Sequence, residues 1–256
     1  MTLREPLSPT VAKAHIRSAL AVGEVRFSGH AEAEMAKDDL TAIDCINVLR
    51  GGIVQQPEHE RGTWRYRVTT QRIAVVVVLP VGVRGRHRDG LEVQAMNCIQ
   101  CESPMTSRRE SYDYSACGLP VTLDGVVVHR CRRCGEHEVA LPRIEELHRV
   151  IARHVIRKPA RLSSAEIRFL RKWLGESGED LAGLMGVTPE QVSRWENGKR
   201  DIGAPADRLL RLLVATAEPR DDYSTDQWRE LREKSSAPAE MHVRPSKSGW
   251  RVGKAA

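Results

Sequence analysis

The sequence predicts a multidomain α+β protein: an N-terminal antiparallel sheet with helices, a small domain built on cysteine knuckles, and an all-α domain. Three observations lead there. Residues 1–95 pass from helical periodicity into alternating and then continuous apolar strands. Four of the six cysteines stand as two Cys-x-x-Cys pairs, Cys98/Cys101 and Cys131/Cys134. Leu181 to Arg200, LAGLMGVTPEQVSRWENGKR, reads as helix, glycine turn and capped helix. The expected division is an α+β domain over 1–95, a zinc-knuckle domain over 96–157, a helix-turn-helix domain over 158–217 and a C-terminal extension over 218–256.

The bulk composition narrows the function classes. With 29% charged and 41% hydrophobic residues in 256, the chain has a globular rather than a disordered composition. The longest apolar run, Ile73 to Val83, is broken by Pro80 and Gly82. It falls short of the roughly 18 residues of a membrane helix, so no membrane partner is expected. The N-terminus has no uninterrupted apolar core, and a cytoplasmic location is expected. The net charge of +6 invites a nucleic-acid reading, but the excess is spread over every segment, so motifs must do the localising.

In residues 1–95, Ser8-Pro9 sets a helix start that Gly23 ends. Thr41 caps a second helix whose apolar side is Ile43, Ile46, Val48 and Leu49, stopped by Gly51-Gly52. Three strands follow, Ile53–Gln56, Thr63–Thr69 and Arg72–Leu79. The second places Trp64, Tyr66 and Val68 on one face. The third is apolar on both faces, as a central strand is. The turn around Gln71 is too short for a parallel crossover, so these two form an antiparallel hairpin. Gly82–Gly90 reads as a loop leading to Met96, where a separate ancestral protein could have begun.

Each Cys-x-x-Cys lets one tight turn offer two thiolates to the same ion, and two such turns complete a tetrahedral site. Cys98, Cys101, Cys131 and Cys134 are therefore the expected ligands of one structural Zn2+ per chain. The 29 residues between Cys101 and Cys131 can be spanned by a hairpin, and Gly135 suits a knuckle turn at positive φ. Four buried filler cysteines are the plain alternative, and a redox motif would need only one pair. His129 and His137 flank the second pair as alternative ligands, with surface histidines the plainer reading. Cys45 and Cys117 read as core residues. A helix over Pro142–Val155 follows, with Ile144, Leu147, His148 and Ile151 at core spacing. Arg157-Lys158-Pro159 reads as a short linker.

In the helix-turn-helix string, Leu181, Ala182, Leu184 and Met185 make the first apolar helix, and Gly186 allows the turn. Thr188-Pro189-Glu190-Gln191 starts the second, with Thr188 as N-cap and Gln191 closing a capping box. Val192 and Trp195 face the core. Glu190, Gln191, Ser193, Arg194 and Asn197 are left for the major groove, where Arg reads guanine and Asn or Gln reads adenine. Lys199 and Arg200, just past the helix, are placed for phosphates. An ordinary helical bundle is the plain alternative. Beyond it, Thr225–Lys234 reads as one more helix, and Met241–Arg244 pairs with Trp250–Val252.

The string resembles the Cro/repressor-type helix-turn-helix family, in which "SRWENGKR" ends the recognition helix. By that resemblance Glu196 is structural and Arg194 reads a base. The family has Gln at the start of the first helix of the motif, bracing a phosphate; here Gly178 stands there. Met96 to about Ala217, with the helix "LPRIEELHRVIARHV" between its cysteine and helix-turn-helix parts, also resembles the MqsA family of antitoxins, the YgiT-type zinc finger group, on three grounds: the cysteine pairing, the domain order and the "SRWENGKR" string. The resemblance implies a homodimer on a palindromic double-stranded operator, repressing its own operon. Residues 25–79, "VRFSGHAEAEM…NVLRGG…GTWRYRV…RIAVVVVL", resemble small RelE/MqsR-like ribonuclease toxins. That implies a toxin–antitoxin fusion, with RNA as a partner and His30, Arg65, Tyr66, Arg67 and Arg72 as candidate catalytic residues. For each of these the structural reading is also available: helix N-terminal polar residue for His30, core for Tyr66, solvated sheet face for the arginines. Two functions thus stand, a DNA-binding transcriptional repressor and an active endoribonuclease held by its own C-terminal module.

Overall fold

The computed structural model describes residues 5–60, 62–79, 97–217, 238, 240–246 and 249–253. The expected loop at Gly82–Gly90, the start at Met96 and the helix at Thr225–Lys234 lie outside the described residues. In chain order the elements are α1 (Pro9–Ala21), β1 (Glu24–Ser28), α2 (Gly29–Lys37), α3 (Ala42–Gly51), β2 (Ile53–Val54), β3 (Glu58–Glu60), β4 (Thr63–Thr69) and β5 (Ala74–Val78). Then come β6 (Met105–Asp113), a 3-10 turn at Ser115–Cys117, β7 (Val121–Cys131), β8 (His137–Pro142) and α4 (Ile144–Ile156). The helices α5 (Ser164–Leu174), α6 (Gly178–Met185), α7 (Pro189–Glu196) and α8 (Ala204–Thr216) follow, and β9 (Met241–Ser246) and β10 (Gly249–Val252) close the described chain.

The chain divides into two compact units, Met1–Glu110 with Val126–Ile144, and Ser111–Gly125 with Glu145–Ala256. This is a different partition from the four consecutive segments read from the sequence. The cause is visible in strand pairing. Within the first unit β1 pairs antiparallel with β8, Phe27 opposite Val139, and β8 pairs with the end of β7, so an N-terminal strand joins the two strands that flank Cys131 and Cys134. β1 was not expected, whereas α2 begins at Gly29, in keeping with the reading of His30 as a helix N-terminal residue. Ser28 marks the boundary between them, since its hydroxyl accepts the Ala31 amide and caps α2.

The N-terminal sheet centres on β4. β2 and β3 pair with successive parts of one edge of β4, and β5 pairs with it antiparallel, Tyr66 opposite Val77. The expected hairpin is present, but the expected central position of the valine run is corrected. Among the described residues β5 pairs with β4 alone, and Ala74, Val76 and Val78 are exposed. Burial rather than apolar content marks the central strand: Tyr66 and Val68 on β4 are both 0% exposed. α3 is capped as expected, with Asp44 accepting the Thr41 amide at 2.7 Å.

In the second unit the early part of β7 pairs in parallel with β9, Leu123 opposite Val243. β9 pairs antiparallel with β10, Val243 opposite Val252, which is the C-terminal pairing expected from the sequence. The parallel pairing back to β7 was not foreseen, because nothing local encodes it. α4 begins at Ile144 rather than Pro142, which ends β8. The core positions expected of this helix hold: Ile144, Leu147 and Ile151 are fully buried, and His148 bonds the buried Tyr114 hydroxyl at 2.9 Å.

Candidate nucleic-acid interface and metal centre

Gly178 is the first residue of α6, as read from the sequence, and Ser177 is its N-cap. The Ser177 hydroxyl accepts the Asp180 amide at 3.0 Å, and Asp180 accepts the Ser177 amide at 3.3 Å, a complete capping box for α6. Gly178 therefore lies inside the first turn, and a Cβ built there meets nothing within 4 Å. α6 buries Leu181, Ala182 and Met185, while Leu184 faces solvent. Gly186 closes the helix at φ 64°, a left-handed conformation that costs other residues about 1 kcal/mol or more.

α7 starts as the sequence predicts. Thr188 Oγ1 accepts the Gln191 amide at 3.3 Å, and Gln191 Oε1 accepts the Thr188 amide at 3.0 Å. Gln191 is thus half-buried in its own cap, although it was expected as a base reader. Val192 and Trp195 enter the core, leaving Glu190, Ser193 and Arg194 exposed on the opposite side. The Thr188 hydroxyl holds the Glu190 carboxyl below its ordinary range, so it stands ionised on the exposed surface. An ionised carboxylate there is an acceptor of the kind that cytosine N4 would meet.

The end of α7 is braced from behind. Arg171 on α5 grips Glu196 with two bonds, Nε to Oε1 at 2.6 Å and Nη2 to Oε2 at 3.0 Å. Arg168 donates to the Glu196 carbonyl and to Asn197 Oδ1, at 3.2 and 3.1 Å. Asn197 caps the helix, and its Nδ2 donates to the Ser193 carbonyl at 2.8 Å. Asn197 is exposed, yet its amide is already engaged on both ends. Lys199 and Arg200 follow it, both exposed. The bracing arginines were missed in the sequence; their signal was two cations at i, i+3 on the helix before the motif.

The candidate metal centre lies in the first unit. The four thiol sulfurs of Cys98, Cys101, Cys131 and Cys134 all fall within 4.8 Å of one another, with Cys98–Cys134 and Cys101–Cys131 at 3.5 Å. A tetrahedron of sulfurs about 2.3 Å from zinc has edges of about 3.8 Å, so the spacing fits that ion. Each pair sits on a knuckle. The Glu102 amide donates to the Cys98 carbonyl at 2.8 Å, and the Gly135 amide to the Cys131 carbonyl at 3.1 Å. Gly135 has φ 78°, as expected. Backbone and hydroxyl hydrogen bonds from Ser103 pull the Cys101 thiol down to about 6, while Cys134, against a backbone hydrogen bond from Glu136, is pushed up to about 12 by burial and the facing thiols, so the first proton leaves the cluster from Cys101.

The flanking histidines are engaged elsewhere. His129 is buried, correcting its reading as a surface residue, and its Nδ1 lies 2.7 Å from Ser107 Oγ. His137 Nε2 stands 3.4 Å from Glu32. Cys45 and Cys117 are core residues, and burial pushes the Cys117 thiol up to about 12.

Of the five candidate catalytic residues, His30 is exposed in the first turn of α2. Tyr66 is fully buried, and its hydroxyl accepts the Leu7 amide at 2.9 Å. Arg65 and Arg67 lie on the opposite face of β4, beside carboxylates of β3: Arg65 Nη1 is 3.1 Å from Glu60 and Arg67 Nη2 is 4.0 Å from Glu58. Arg72 is exposed in the β4–β5 turn.

A helix-turn-helix family model matches residues 167–213, from within α5 to within α8. No curated protein and no solved structure matches the chain.

Proposed function

We infer that the helix-turn-helix module matched over residues 167–213 gives the chain a DNA-binding, transcription-regulatory role. We propose that the whole chain is a sequence-specific transcriptional repressor of toxin–antitoxin type, a fusion that binds a palindromic operator as a homodimer and represses its own operon. The observation that carries this reading is α7 itself. It is capped at Thr188, braced at Glu196 and presents Glu190, Ser193 and Arg194 to solvent, with Lys199 and Arg200 just beyond. Arg194 reads a base edge, and Lys199 and Arg200, just past the helix, hold phosphates beside the same groove. A structural zinc on Cys98, Cys101, Cys131 and Cys134 holds the knuckles together. It carries no chemistry, because four sulfurs leave no open position.

The alternative, an active endoribonuclease, is served less well. The Tyr66 hydroxyl is buried under the Leu7 amide, and a phosphate approaching Arg65 or Arg67 would meet Glu60 and Glu58 first. Because β1 pairs with β8, residues 1–95 alone would lack a strand partner, so cleavage is tested on the full chain.

The test is selection by the full chain from a library of randomised DNA duplexes, with cleavage of total RNA measured beside it. Enrichment of an inverted repeat without RNA cleavage is expected. RNA cleavage lost on Arg65→Ala, with no duplex enriched, would establish the alternative instead.

A further inference from the structure

The connection between α4 and α5 reads in the sequence as a linker, yet one buried side chain holds three carbonyls at and just after the end of α4. Arg211 on α8 is 0% exposed. Its Nη1 donates to the carbonyls of Ile156 and Lys158, both at 2.7 Å, and its Nη2 to that of Ala160 at 2.8 Å. Its Nε donates to Asp207 Oδ2 at 2.7 Å. Asp207, one turn earlier and 2% exposed, accepts the Leu162 amide at 2.8 Å with its other oxygen. Lys158 Nζ lies 2.6 Å from Glu166, which also accepts the Ser163 amide at 2.7 Å.

An irregular segment taken out of water needs donors for its carbonyls. A guanidinium supplies five N–H groups in a fixed planar fork, so one side chain can hold three carbonyls and a carboxylate together. Lysine has the charge but not the fork. Apolar packing would satisfy burial at least as well, since buried ion pairs seldom add net stability. What the fork adds is a single geometry. From α5 that geometry passes to the recognition helix through Arg171 and Arg168, which grip Glu196 and Asn197.

We propose that Arg211 is a positioning residue for DNA binding: it locks residues 156–162 onto α8 and joins α4 to the helix-turn-helix as one rigid body. The inference rests on the repressor reading given above. With the proposed homodimer joined through residues ahead of this connection, a free hinge would let the two recognition helices accept half-sites at several separations, whereas a locked connection accepts one.

Three full-length proteins test this: the unmodified chain, Arg211→Lys, and a variant with Gly-Ser inserted after the exposed Pro159. The insertion leaves Arg211 intact, so it still reports if Arg211→Lys folds poorly, and a melting curve on each separates loosening from unfolding. Amide exchange over 156–162 and selection from randomised duplexes are read together. The unmodified chain should protect these amides and enrich paired half-sites at one separation. Both variants should lose at least about tenfold of that protection and enrich the same half-site at several separations. Fast exchange in the unmodified chain, or a single separation kept by both variants, would overturn the proposal. Protected amides with no duplex enriched would overturn the DNA-binding reading, and the positioning role with it, while leaving the clamp as a structural feature.

Discussion

Arg171 and Glu196 form a two-bond ion pair at 2.6 and 3.0 Å, with side chains only 15% and 11% exposed. It ties the last turn of the recognition helix to the helix preceding the motif. Glu196→Ala leaves a nearly buried guanidinium without its carboxylate. The expected loss is about 2–3 kcal/mol, toward the low end for buried pairs because both groups keep some water. Urea unfolding of the full chain measures it, and DNA affinity should fall for all sequences alike.

Gly178 occupies a first-turn position with open space beyond its Cα. Gly178→Gln should therefore fit without strain and supply the phosphate brace that related motifs carry. One added hydrogen bond of about 0.5–1.5 kcal/mol corresponds to a gain of roughly two- to tenfold in affinity, the same on specific and random duplexes. Anisotropy titration with both kinds of duplex checks it; a gain on one sequence alone would speak for base reading instead.

The four-sulfur centre predicts about one zinc per chain in freshly purified protein. Cys131→Ser should reduce that content and expose the knuckle backbone to exchange, because a structural site contributes its binding energy to folding. A strong chelator should do the same to the unmodified chain. Unchanged exchange after complete metal removal would show that the thiols are filler in the core.

His154 sets an acid limit on the second unit. Burial, partly countered by Glu166 and reinforced by Arg157, holds its pKa below the ordinary 6.5. The folded state thus prefers the neutral ring, and the unfolded chain takes up the proton first. The stabilisation is complete above pH 6.5 and is lost as pH falls through the lower folded value. His154→Leu should flatten that part of the stability–pH curve; an unchanged slope would place the acid sensitivity elsewhere.

What the sequence made legible was local. Ser8, Thr41 and Thr188 cap the helices expected of them, because a capping hydroxyl acts within three residues. The hairpin of β4 and β5 follows from a turn of similarly short range, and each Cys-x-x-Cys pair is as local, its repetition being what pointed to one site for Cys98, Cys101, Cys131 and Cys134. What stayed hidden depends on distant partners. β1 finds β8 more than a hundred residues later, and β9 finds β7, with no pattern in either strand naming the other. The valine run of β5 looked central because apolar content was read as burial. Arg211 was invisible for a similar reason: its partners are backbone carbonyls, which every residue possesses.

If α7 reads sequence, Arg194 should do part of the reading. Duplexes enriched by the full chain are titrated with the unmodified protein, Arg194→Ala and Lys199→Ala, each against the enriched site and random DNA over a salt series. Arg194→Ala should cost about 1–3 kcal/mol on the enriched site and much less on random DNA. Lys199→Ala should weaken both equally and lower the salt slope by about one. Equal losses on the two duplexes for Arg194→Ala, or no duplex enriched at all, would contradict the account.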